Sequence, residues 1–292
     1  MNQTIFKDEH KNAVRFSEFR RMEGDTPFTG LGIKYVAAGE ETYYVNDKKF
    51  SVKEGEYIIG NDFTAAAVKI NDRQTVQGLC IDISSDIICE VADYYDESSN
   101  DLKEFLLTDQ FFVNRYNIKN TTLGYSLLEI NNAIKTGTGD NQFFREELFY
   151  ALAESIITDQ RFVFNHLNKL NFKKAQTNEA VFRMLLKAKD QLDVHAMKNL
   201  SLGEISAAAG LSRYYFIRLF KDVFGTSPYQ YQKRKRIEYA KASLEKGNTI
   251  LNTALELGYS DVPTFSKAFK LTLGLNPSEI KQNAGASLSP YD

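Results

Sequence analysis

Arg213, Tyr214, Ile217, Arg218 and Lys221 are interleaved with Phe216, Leu219, Phe220 and Val223, which fall at positions i, i+3, i+4 and i+7. On an α-helix that spacing gathers the apolar residues into one buried stripe and turns the basic and aromatic set outward. Such a set suits recognition rather than catalysis. An arginine fork matches O6 and N7 of guanine, a tyrosine ring can lie against a sugar or a thymine methyl, and a lysine pairs with phosphate. Much of the segment recurs at a constant offset of 49 residues: Phe216, Phe220, Lys221, Gly225 and Pro228 return as Phe265, Phe269, Lys270, Gly274 and Pro277. The second outer face carries Val262, Pro263, Thr264, Ser266 and Lys267. It is short of hydrogen-bonding groups, so phosphate and apolar contacts are expected there more than contacts to base edges.

The elements that position these residues follow from the punctuation. A short helix over 202–209 is followed by the turn Gly210-Leu211-Ser212, and the Ser212 hydroxyl is suited to cap the next helix. The second copy has a helix over 250–257 and a Ser260-Asp261 cap, and Pro263 fixes the helix start because proline is tolerated only in the first turn. The leading glycines Gly210 and Gly258 are 48 apart, so the second turn is one residue longer. Each copy reads as a helix-turn-helix, and two copies are too few for a solenoid. Between them, 228–246 carries Lys233-Arg234-Lys235-Arg236, then Ile237, Ala240 and Leu244 at helical spacing. A rigid helix there would set both outer helices on one face of a duplex, roughly 34 Å apart. The four-residue basic run either touches phosphate or is solvated, and both readings stay open.

Charge separates the two halves. Residues 1–180 hold 20 Lys/Arg against 28 Asp/Glu, whereas 181–283 hold 16 against 9, so a mildly acidic half precedes a basic one. A basic half is the electrostatic footprint of a phosphate-binding surface. At 292 residues two domains are expected. The sequence contains no run of 18 apolar residues and no basic-then-apolar start, which points to a cytoplasmic protein away from membranes. Cys80 and Cys89 fit reduced, buried thiols.

Residues 14–83 read as β, with short runs at 33–37, 42–45, 49–52, 57–59, 65–70 and 75–83. Asn46-Asp47 is a candidate hairpin tip, and Glu54-Gly55-Glu56 is a second turn. Strands at this spacing indicate a barrel or jelly roll. From Ser85 the period turns helical, with stripes at Ile87, Ile88, Val91, Tyr94 and Tyr95, and at Leu123, Leu127, Leu128 and Ile134. A longer helix over 141–170 carries Phe143, Phe144, Leu148, Leu152, Ile156 and Phe162, a generous apolar set that suits dimerisation. Residues 168–180 are polar and include the linker, placed at 171–180; about seven helices are expected beyond it. None of the three histidines lies within 14–83, and no P-loop, G-x-G-x-x-G or nucleophile-base motif occurs. No enzyme, metal or cofactor is therefore expected. Tyr35, Tyr43, Tyr44, Phe50 and Tyr57 are candidates for lining a ligand cavity or for plain core.

The C-terminal arrangement resembles the DNA-binding domain of the AraC/XylS family of bacterial transcription regulators. The residues that carry the resemblance are Arg236-Ile237-Glu238-Tyr239-Ala240, Gly258-Tyr259, Phe265, Phe269-Lys270 and Gly274-Leu275-Asn276-Pro277. The resemblance covers 181–283 and implies base reading by Arg213, Tyr214, Ile217 and Arg218, and by Val262, Pro263 and Lys267 in the second unit. Lys221, Thr264 and Lys270 complete the expected DNA-binding set. Val262 and Pro263 stand where the family often has polar residues. The implied fold is α+β: residues 1–170 form a cupin-like β-barrel with a helical dimerisation segment, 171–180 a linker, 181–283 an all-α domain with two helix-turn-helix motifs, and 284–292 a tail. The implied function is sequence-specific regulation of transcription by a homodimer on a double-stranded DNA operator, with RNA polymerase as a further partner. The N-terminal domain would be governed by a small-molecule effector; the alternatives are control by a protein partner or dimerisation alone. A cavity of some hundreds of Å³ in the barrel would favour the ligand, and a side-chain-filled barrel the partner.

Overall fold

The computed structural model describes residues 2–46, 48–95, 100–137, 145–195 and 201–280, without the side chains at 72, 73, 95 and 175. The chain divides into two compact units, Met1–Asn168 and Lys169–Asp292.

In the first unit eight strands alternate side chains across a curved sheet: β1 (Asn2–Lys7), β2 (Ala13–Asp25), β3 (Leu31–Ala38), β4 (Glu40–Val45), β5 (Lys48–Lys53), β6 (Glu56–Asn61), β7 (Ala66–Ile83) and β8 (Arg115–Asn117). Their order is β1-β2-β7-β3-β6-β8, with β4 paired to both β5 and β7, and every pairing is antiparallel, giving a nearly closed cupin-like barrel. The two runs expected at 65–70 and 75–83 are one strand, β7, which pairs with β2 on both sides of a bulge between Phe19 and Arg21. The expected turn at Glu54-Gly55-Glu56 is present, with Gly55 at φ 78, a backbone angle that favours glycine. Asp47 of the expected hairpin tip lies outside the described residues.

Val14, Ile81, Ile33 and Ile59 form one rung across β2, β7, β3 and β6, and Arg15, Cys80, Lys34 and Ile58 form the next. Successive residues of a strand face opposite sides. The sheet thus has an apolar face and, at this end, a face bearing two cations.

Helices α1 (Ser85–Tyr95), α2 (Asn100–Leu107), α3 (Thr122–Thr136) and α4 (Glu146–Leu167) complete this unit. The expected stripes are buried at Ile87, Ile88, Val91, Leu123 and Leu127, whereas Tyr94 and Leu128 are exposed. Phe149, Leu152, Ile156 and Ile157 of α4 are fully buried within the unit, where α4 packs on α1 and α3. The apolar surplus read as a dimerisation face is thus largely spent inside the chain; Phe162 remains 39% exposed, and Phe143 and Phe144 lie outside the described residues.

The second unit contains α5 (Ala175–Val194), α6 (Leu202–Ala209), α7 (Arg213–Phe224), α8 (Pro228–Glu245), α9 (Ile250–Glu256) and α10 (Val262–Leu273), and 277–280 open a further helix. α5 begins inside the segment expected as a linker because its apolar stripe, Val181, Phe182, Leu185, Ala188 and Leu192, extends a helix with a polar first turn and a half. α8 bridges two small cores. One combines α5, α6 and α7 through Phe182, Ile205, Phe216 and Phe220. The other combines Ile237, Ala240 and Leu244 of α8 with Ala254, Leu257, Phe265 and Phe269. Truncating any of these fully buried phenylalanines to alanine should cost about 3–5 kcal/mol. Among the described residues, no helix is long and apolar enough to cross a membrane.

Candidate nucleic-acid interface

The first helix-turn-helix is α6, a turn, and α7. Ser201 caps α6 in a capping box with Glu204, whose carboxyl is held below its usual range by the backbone and hydroxyl hydrogen bonds of Ser201. Gly210 takes φ 77, and Leu211 N–H then donates to the Ser206 carbonyl at 2.9 Å. Ser212 caps α7 by accepting from Tyr215 N–H. With Phe216, Leu219, Phe220 and Val223 buried, Arg213, Tyr214, Arg218 and Lys221 are exposed and Ile217 is half-buried. Tyr214 is 77% exposed, so its ring is available to a partner. Arg218 Nε stands 3.8 Å from Asp222 Oδ2, both side chains well exposed, a pairing too weak to tie the arginine down.

The second unit repeats this geometry. Gly258 takes φ 74, and Tyr259 N–H donates to the Ala254 carbonyl at 3.0 Å, the same six-residue closure as in the first turn. Asp261 caps α10 by accepting from Thr264 N–H at 2.7 Å, which pulls its carboxyl below the usual range. Pro263 sits in the first turn of α10. The Phe265–Phe269 centroids are 5.6 Å apart, against 5.5 Å for Phe216–Phe220. Both outer helices end at a left-handed glycine, Gly225 at φ 73 and Gly274 at φ 75, each donating to a lysine carbonyl at 2.8 Å. Pro263, Thr264, Lys267 and Lys270 are exposed and Val262 is half-buried.

The basic run on α8 is divided by the helical rotation. Arg236 Nη2 donates to the Leu257 carbonyl at 2.8 Å, Lys235 pairs with Glu238 at 3.0 Å, and Arg234 lies 3.5 Å from the same carboxylate. Lys233 is exposed without an ion pair among the described residues. It shares a groove of about 400 Å³ with Tyr229, Gln232, Thr264, Lys267 and Leu271. Spacing alone gave no reason to group Tyr229, Gln232 and Lys233 with α10; the only signal was the basic run.

Residues 205–283 match the family described as a helix-turn-helix domain. The probable transcription factor PqrA of Proteus vulgaris is 32% identical over 87 residues, which are 30% of this chain and 71% of that protein. The chain belongs to the AraC/XylS family of transcription regulators. Two further relatives carry names of the same kind. The uncharacterized HTH-type transcriptional regulator YbfI of Bacillus subtilis is 26% identical over 232 residues, 78% of this chain and 76% of that protein. The probable transcriptional regulator LumQ of Photobacterium leiognathi is 34% identical over 91 residues, 31% of this chain, and the matched part spans only 37% of LumQ.

In this AraC/XylS member the barrel is not filled by side chains. A cavity of about 260 Å³ is lined by Arg15, Ser17, Lys34, Glu41, Tyr43, Cys80 and Asp82, among others. Of the five aromatics considered from sequence, Tyr43 lines it; Tyr35 and Tyr57 are core, and Tyr44 borders a separate open groove. Tyr43 donates its hydroxyl to Glu41, and burial raises the pKa of both groups. Cys80 is likewise pushed up by burial, so it is a thiol rather than a thiolate.

Proposed function

We propose that the chain is a cytoplasmic, sequence-specific DNA-binding transcription regulator in which the two helix-turn-helix units have different tasks. The observation that carries this is the repeated scaffold beneath unlike outer faces. Arg213, Tyr214, Ile217 and Arg218 read bases from α7, and Lys221 pairs with phosphate. Val262, Pro263, Thr264, Lys267 and Lys270 anchor α10 on the backbone, joined by Lys233 across the groove they share. α8, about 27 Å long at 1.5 Å per residue, is the spacer.

The N-terminal unit acts as sensor and dimerisation module, and no enzymatic step is assigned to it. The cavity with buried polar walls supports a small-molecule effector over control by a protein partner alone. Exposed Tyr125 and Leu128 on α3 support a homodimer contact on the helical side of this unit. RNA polymerase is the proposed second macromolecular partner.

Genomic footprinting of the full-length protein tests the reading. Protected sites should contain two elements about one helical turn apart, roughly 10 bp, with strong base preference in one and weak preference in the other. Protection without base preference would contradict it.

A further inference from the structure

Lys34 is an unusual residue to find where it is. It is 5% exposed, sits in the middle of β3, and lines the barrel cavity. An ammonium carries three donors, and among the described residues one of them is used, on the Pro27 carbonyl at 3.1 Å. The Phe28 ring lies 5.1 Å away, and among the described residues no carboxylate pairs with it. A buried ammonium with donors left over and no direct ion pair is expensive unless something in the cavity takes them up.

The neighbouring groups narrow what that something is. Arg15, in the same rung, is already satisfied by Asp82 at 2.6 Å. Glu41 enters from β4 and faces the same space, accepting from Tyr43 and feeling the charge of Lys34 without reaching it. Lys34 keeps two donors for an anion, while three acidic side chains line the same cavity, Glu41 and Asp82 within it and exposed Asp25 at its edge, so a single negative charge is accommodated and a second is repelled. The remaining Glu41 acceptor capacity and the Ser17 hydroxyl suit hydroxyl groups on the ligand. A volume of about 260 Å³ falls just below the range of drug-sized sites, roughly 300–1,000 Å³.

We propose that the barrel cavity binds a small monoanionic hydroxycarboxylate, with its carboxylate on Lys34 and its hydroxyls toward Glu41 and Ser17. The assignment rests on the small-molecule reading above and gives it a chemical class. Binding draws on the same ammonium that holds the Pro27 carbonyl and lies over Phe28, so the segment joining β2 to β3 feels the occupant directly. Phe28 has little room to shift, since its ring rests against Gly32 and Gly60, where an added Cβ would come within 2.8 and 2.7 Å of it.

The test is thermal unfolding of the full chain with L-lactate, D-glycerate and D-gluconate at millimolar concentration, against lactamide, glycerol and D-glucitol, with glycerol 3-phosphate as the dianionic control. At least one carboxylate should raise the midpoint by about 3 °C while its neutral counterpart and the phosphate do not. Lys34→Gln should abolish the rise and Lys34→Arg should retain it; should the former fail to fold, the comparison within wild type still decides. No rise with any carboxylate, an equal rise with the phosphate, or a rise that survives Lys34→Gln would overturn the assignment. A rise with glycerol or D-glucitol alone would overturn the charge class yet leave small-molecule control standing. DNA footprints are scored separately and are unaffected by either outcome.

Discussion

Arg236 of α8 donates from Nη2 to the carbonyl of Leu257 at 2.8 Å, tying the spacer helix to the end of α9. Leu257 is the last residue before the second turn, so this bond sets where α10 begins relative to α8. A cation at the carbonyl end of a helix is also favoured by the helix dipole. Of the four consecutive basic residues, Arg236 is therefore a structural clamp.

Replacing Arg236 with alanine should lower stability by about 1.5–3 kcal/mol, the worth of a charged hydrogen bond. Urea unfolding of the full chain measures it. A loss within about 0.5 kcal/mol, the ordinary range for a surface change, would remove the clamp from the account.

Lys233→Ala should behave in the opposite way. Stability should stay within about 0.5 kcal/mol of wild type, whereas DNA affinity should fall alike on all sequences and the salt slope should drop by about 1. Titrations at several salt concentrations separate this from a base contact, which would weaken binding on some sequences only.

Gly225→Ala and Gly274→Ala should cost about the same, roughly 1–2 kcal/mol each, because both positions hold a left-handed backbone with no atom within 4 Å of an added Cβ. The cost is then backbone strain alone. Thermal unfolding of the two variants checks the equivalence of the repeats, and losses that differ widely would show that the two caps are not alike.

The Asp261 cap gives a pH dependence. Its carboxyl is held below 3.8 by the backbone N–H and hydroxyl of Thr264 and by the Ser260 hydroxyl. A depressed acid contributes stability that is present above the unfolded value and is lost as pH falls through the folded one. Between pH 5 and pH 3, wild type should therefore lose more stability than Asp261→Asn, which caps without titrating. Equal losses would mean that the cap is not charge-dependent.

The duplicated scaffold was legible because it is local: Phe216 with Phe220 and Phe265 with Phe269 are one turn apart, and the glycines and caps lie beside them in sequence. Lys233 and Arg236 were not separable, since helical rotation gives adjacent residues different surroundings that only tertiary packing defines. The polar cavity was out of reach for the same reason, as Arg15, Lys34 and Cys80 meet only through strand register. α4 misled because a helix buried by its own unit and one buried by a second copy have the same apolar pattern. β1 was missed because Asn-Gln-Thr-Ile-Phe-Lys is polar on both faces except near its end.

The division of labour between α7 and α10 is tested most directly by Arg218→Ala. Once footprinting has supplied an operator, the affinities of wild type and variant for that operator and for an unrelated duplex should be measured at one salt concentration. The account predicts a loss of about 1–3 kcal/mol on the operator with little change on the unrelated duplex. Equal losses on both would make Arg218 a phosphate contact and contradict α7 as the reader of bases.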